Sequence, residues 1–117
     1  MDIIEQERHF DTLVAKCKKI MLSKGNDYAG EDRLSNFNKV AEIVGITPAQ
    51  VILVFKATKL IREVQLLKSG KGAENESLAD SFIDDVNYTI LCDMILAKAI
   101  PARPAFNPPY SVRNLPK

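Results

Sequence analysis

Thr47-Pro48-Ala49-Gln50 constrains this chain more than any other four residues in it. A threonine that caps, a proline at the first helical position and a glutamine three residues on form a capping box. The apolar residues that follow recur at helical spacing to about Lys68, where Ser69-Gly70-Lys71-Gly72 breaks the pattern. Ile52-Leu53-Val54-Phe55 is strand-like alone, but it lies inside this long capped period, so length decides for helix. A first helix is predicted from Asp2 to Ser23, with Ile3, Phe10, Leu13, Val14, Cys17, Ile20 and Met21 in period and Gly25 as its stop. Residues 25–34 read as a loop, and Ser35 is expected to cap a short helix, about Asn36 to Val44, that ends at Gly45. A fourth helix is predicted from near Asn75 to about Ala99, stopped by Pro101.

The fold class expected is therefore all-α. It is a compact antiparallel bundle of three long helices and one short one over residues 1–100, with an extended proline-rich tail over 101–117. A chain of 117 residues suits one domain. Its net charge of +1 argues against general nucleic-acid binding but leaves room for a small anion in a local basic pocket. Cys17 and Cys92 sit in apolar-periodic stretches and read as core residues; no CxxC or histidine cluster suggests zinc. His9, between charged neighbours, reads as a surface residue. With no basic-then-apolar leader and no membrane-length apolar run, the protein is expected in the cytoplasm.

On a helical wheel the fourth helix carries two arcs. Leu78, Ala79, Phe82, Val86, Ile90 and Ala97 form a broad apolar one. Glu76, Asp80, Asp84 and Asn87 form another, about 80° wide. Toward the C-terminus the second arc becomes Leu91, Met94 and Ile95, so it should face protein, with its acids at least half buried. Half-buried carboxylates need a partner or a metal. Acids on successive turns suit a Mg2+ ion held together with substrate phosphates, which makes Glu76, Asp80 and Asp84 candidate metal and catalytic residues. The competing reading is plain salt bridges, with Glu76 serving only the helix N-terminus. Asp85 lies off the arc and is expected at the surface.

On the third helix Lys56, Lys59, Arg62 and Glu63 line a polar arc opposite Leu53, Ala57, Leu60, Ile61, Val64 and Leu67. The basic stripe can pair with the acids of the fourth helix, hold phosphate, or do both. The loop offers Lys24, Asn26, Asp27, Tyr28, Arg33 and Asn36, a natural lid or base-stacking element. No Walker loop, GxGxxG, HExxH or GxSxG is present, and a lone His9 makes a Ser or Cys nucleophile improbable.

Lys24-Gly25-Asn26-Asp27-Tyr28, Arg33, Asn36-Phe37, Lys59, Arg62, Glu76-Ser77-Leu78-Ala79-Asp80 and Asp84-Asp85-Val86-Asn87-Tyr88 together resemble the nucleotide-modification-associated domain of the first type. That small family is common in bacteriophages and prophages, and the resemblance covers about residues 10–95. It implies a phage origin, hence a host cytoplasm, and a role near nucleotide metabolism. More distantly, Glu76 and Asp80 look like the second acidic motif of the all-α nucleotide pyrophosphohydrolases, the MazG and dUTPase-like group. The spacing differs by one residue, and Glu63 stands alone where that group carries Glu-Glu-x-x-Glu.

The resulting expectation is a magnesium-dependent nucleoside triphosphate (pyro)phosphohydrolase. Glu76, Asp80 and Asp84 would hold the cation. Lys59 and Arg62, with Lys56 and Arg33, would bind phosphate, and Asp27, Tyr28, Asn36 and Asn87 would contact the nucleotide. The alternatives are a nucleotide-sequestering protein without catalysis and a structural interaction module. A homodimer or tetramer is expected, because a small bundle has little core of its own.

Overall fold

The computed structural model describes residues 1–28, 30–70 and 77–99. The described residues form four helices and no strand: α1 (Ile3–Tyr28), α2 (Ser35–Val44), α3 (Pro48–Ser69) and α4 (Leu78–Ala99). The tail over 101–117, Asn75 and Glu76 lie outside the described residues. No single described helix is long and apolar enough to cross a membrane.

The helix ends follow local chemistry. The Thr47 N–H donates to Gln50 Oε1 (2.9 Å) and the Gln50 N–H to Thr47 Oγ1 (3.2 Å), closing the capping box of α3. Gly70, with φ of 62°, ends that helix in a left-handed turn that a side chain would strain. Asp2 and Glu5 exchange the same reciprocal bonds at the start of α1. Ser77 and Asp80 do so at the start of α4 (3.3 and 3.1 Å).

Three boundaries differ from expectation. α1 does not stop at Gly25 but continues to Tyr28. Gly25 is there for space: a Cβ at that position would lie 2.9 Å from Arg33 Cζ. Ser35 does not cap α2; Leu34 precedes it without a side-chain cap, and Asp32 takes the Leu34 N–H (3.1 Å). α4 begins at Leu78, later than Asn75, where the Ser77–Asp80 box satisfies its first donors.

α3 and α4 form the central pair. Val51 and Ile52, early in α3, cluster with Ile95, late in α4, while Lys56 and Lys59 reach back to Asp85 and Asp84. The two helices therefore run antiparallel. α2 lies against α3 at 94° and contributes Phe37 and Ala41 to the same core. α1 packs on α4 through Cys17, the one buried apolar residue among its described side chains.

The faces turned inward are not those the apolar pattern selects. On α4, Ser81, Ile83, Asp84, Asn87 and Ile95 are buried, whereas Phe82, Val86 and Ile90 of the apolar arc are exposed. On α3, the polar arc with Lys56, Lys59 and Glu63 turns toward α4, and Leu53, Leu60, Ile61, Val64 and Leu67 face outward.

Candidate functional site

The C-terminal part of α1, the 30–37 segment, α3 and α4 enclose a cavity of about 850 Å³, within the range of small-molecule sites. One wall is apolar. Phe37, Phe55 and Tyr88 form a row, with ring centroids 6.4 Å apart for the first pair and 5.9 Å for the second. Leu91 and Met94 of α4 extend that wall. Each ring arrives from a different helix, so the row exists only when α2, α3 and α4 are packed.

Asp84 marks the polar end. It is 9% exposed and held between two ammonium groups: Lys24 Nζ lies 2.8 Å from Oδ1 and Lys59 Nζ 2.9 Å from Oδ2. Burial pushes the Asp84 carboxyl up, but the hydrogen bonds and charges of Lys24 and Lys59 outweigh it and hold the group below its ordinary value. Asp84 is thus an ionised counter-ion to two cations at neutral pH. The trio carries a net positive charge.

Asn87 lies one turn beyond Asp84 and is buried. Its Nδ2 donates to the Cys17 carbonyl (2.9 Å), which ties α4 to α1 and fixes the orientation of the amide. Its Oδ1 is a buried acceptor with no partner, on a residue that lines the cavity. Asn36 is half-buried on the same cavity and also has a buried Oδ1 without a partner. Unused acceptors of this kind are costly in an apolar setting and favourable toward a ligand N–H or O–H.

The structure gathers four of the sequence candidates, Asp84, Lys59, Asn87 and Asn36, around one cavity. Arg33 borders it too, but its guanidinium is engaged by Asn26 Oδ1 (2.8 Å), the Gly30 carbonyl (3.2 Å) and the Leu22 carbonyl (2.8 Å). It clamps the end of α1 to the following turn rather than facing a phosphate.

Lys56 pairs with Asp85 between α3 and α4, away from the cavity wall. Arg62 is half-buried one turn past Lys59 and also lies off that wall. Asp27 is exposed in the last turn of α1, and Tyr28 is its last residue, with a side chain outside what the structure describes. Asp80, expected to be half buried, is exposed and serves the N-terminus of α4.

Two features were hidden from the sequence. Lys24 falls in a loop as long as Gly25 is taken for a stop. Once α1 is continued, Cys17, Met21 and Lys24 follow at i, i+4 and i+7 and share the face toward α4. Asp85, expected at the surface, is instead partly buried against Lys56 and the buried Glu63. Burial raises the Glu63 carboxyl, the Asp85 charge and hydrogen bond raise it further, and Lys56 opposes them. The Glu63 carboxyl therefore keeps its proton to higher pH than an exposed glutamate would.

Glu76, one of the three acids expected to hold magnesium, is not among the described residues. Among those described, no three His, Cys, Asp or Glu side chains converge. Both Asp84 oxygens face lysines, and Asp80 points to solvent in a capping box. Compared with family models, with curated proteins and with solved structures, the chain finds no match.

Proposed function

We propose that the cavity between α1, α3 and α4 binds a nucleotide. The observation that carries this reading is the pairing, within one cavity, of an aromatic row with a lysine pair that shares a single carboxylate. A planar base suits Phe37, Phe55 and Tyr88, since stacked and tilted ring contacts add to plain apolar burial. The base or ribose supplies donors to Asn87 Oδ1 and Asn36 Oδ1. A phosphate takes Lys24 and Lys59 as charge-assisted donors and competes with Asp84 for them.

Binding without catalysis is the form of this proposal that the described residues support best, because Asp84 is engaged as a counter-ion. Magnesium-dependent hydrolysis is the second reading, favoured by the ionised Asp84 at the phosphate end.

The test is calorimetry with nucleoside mono-, di- and triphosphates and with pyrophosphate, in chelator and in magnesium, followed by product analysis. Saturable binding in chelator without product supports the first reading. Release of monophosphate and pyrophosphate only with magnesium supports the second. No binding of any nucleotide in either buffer refutes both.

A further inference from the structure

The outward face of α3 has its own pattern. Leu53, Ala57, Leu60, Val64 and Leu67 recur at alternating steps of four and three, the heptad spacing of a helix that packs along another helix. Val54 and Ile61 widen the stripe on one side. All seven residues are exposed, from 43% at Val64 to 65% at Leu67 among the large ones. Every charged residue between Leu53 and Leu67 (Lys56, Lys59, Arg62 and Glu63) is half-buried or buried on the opposite arc. Beyond Val51 and Ile52, which are buried, α3 is inside out for a lone chain: its ions face inward and most of its aliphatics face away. The same holds for α4, where Phe82, Val86 and Ile90 are exposed on the side away from the cavity-lining Asp84, Asn87 and Leu91.

We propose that this face is covered by the same face of a second copy of the chain, with the two α3 helices packed across a two-fold axis near Leu60. Leu60 is the midpoint of the Leu53–Leu67 stripe, so a two-fold axis there makes the seam complementary to itself. Half-exposed side chains of this number offer on the order of 600 Å² per copy, close to the area of a standard stable interface. No charge between Leu53 and Leu67 has to be desolvated to close it, which is the composition of an interface core, and Lys68 stands at its end as part of a polar rim. The described residues of one chain bury only seven apolar residues and leave nineteen large ones exposed, so a partner of this kind supplies core that the single chain lacks. The residues of α3 that line the cavity, Phe55 and Lys59, are not on this face, and the proposal stands or falls independently of what the cavity binds.

The test is the solution mass of the full chain by sedimentation equilibrium across a dilution series. Twice the 13.0 kDa chain mass is expected, and Leu60→Glu should weaken the association at least about a hundredfold while keeping the helical circular dichroism. Because a charge at Leu60 could also unfold the chain, a second variant places a cysteine there. Leu60→Cys should form a disulfide-linked dimer under mild oxidation, whereas the unaltered chain, with Cys17 buried and Cys92 half-buried, should not. A wild-type mass of one chain at every concentration would overturn the proposal, including the case where deleting residues 101–117 is needed to produce a dimer. So would a dimer that persists in folded Leu60→Glu and fails to cross-link through Leu60→Cys.

Discussion

Replacing Asp84 by asparagine keeps the shape of the side chain and removes its charge. Lys24 and Lys59 then face each other across a neutral amide. Lys24 is 52% exposed, so its loss is that of a surface pair, at most about 1 kcal/mol. Lys59 is only 17% exposed, so it approaches the class in which a buried charge loses its partner, about 3–5 kcal/mol. The asparagine oxygen still accepts one hydrogen bond, which reduces that figure. A net destabilisation of roughly 2–3 kcal/mol at neutral pH is expected.

The gap to wild type has a predictable pH limit. The folded carboxyl titrates below its ordinary value of 3.8, so its contribution is complete above that value and is lost as pH falls through the lowered one. The stabilities of the two proteins should therefore converge in acid below about pH 4.

Anion binding should move the opposite way to stability. With the competing carboxylate gone, pyrophosphate or a nucleotide in chelator should bind Asp84→Asn about tenfold more tightly, a gain of about 1.4 kcal/mol. Calorimetry at fixed ionic strength measures this directly, with circular dichroism confirming the fold. Weaker binding by a folded Asp84→Asn protein would refute the counter-ion reading, because it would mean that Asp84 helps to hold the ligand itself.

Gly25→Ala should destabilise by about 1–2 kcal/mol, because its Cβ meets the Arg33 guanidinium, which is anchored on both sides. In an Arg33→Ala background the same change should stabilise by about 0.5–1 kcal/mol through helix propensity, and an effect of equal sign in both backgrounds would count against the clamp. Glu63 has a raised carboxyl, so the folded state keeps a proton that the unfolded chain releases above 4.5, and stability should fall as pH rises from there through the raised value. Urea midpoints should show that slope in wild type and lose it in Glu63→Gln; an unchanged slope would place the proton elsewhere. Asn87→Leu should lower nucleotide affinity by roughly tenfold while leaving pyrophosphate affinity almost unchanged, and equal losses for both would remove Asn87 from the base or sugar contact.

The helical course of the chain was legible because its punctuation acts locally. The Thr47–Gln50 box and the glycines at 45 and 70 satisfy helix ends with residues a few positions away, and all three fall where the sequence places them. Gly25 misled for the reverse reason: its partner, Arg33, is eight residues on and beyond a turn, and steric room leaves no periodic trace. Lys24 was hidden by that misreading alone. The orientation of α3 and α4 was legible in part: the arc of Asp84 and Asn87 was expected to face protein and the basic stripe to be able to pair with its acids, and Asp84 is buried against Lys59. A hydrophobic stripe says that a face is to be covered and does not say by what, and the stripes of Leu60 and Phe82 lie outward. Of the candidate site, Asp84, Lys59 and Asn87 were legible from their spacing on two helices, whereas the aromatic row needed three helices brought together.

The way α1 is attached has a consequence for how occupancy of the cavity would be felt elsewhere. α1 is secured to α4 through Cys17, Asn87 and Lys24, and its first half extends past them with Ile3 and Phe10 in solvent. With so few attachments besides the Arg33 clamp, α1 is expected to open before α2, α3 and α4 come apart, which native-state amide exchange would read. Detachment would carry away one of the two lysines and part of the wall together. A ligand that bridges Lys24 and Lys59 would then act as a latch, and amide protection across residues 15–28 would rise with its concentration while the first turns of α1 continued to exchange freely.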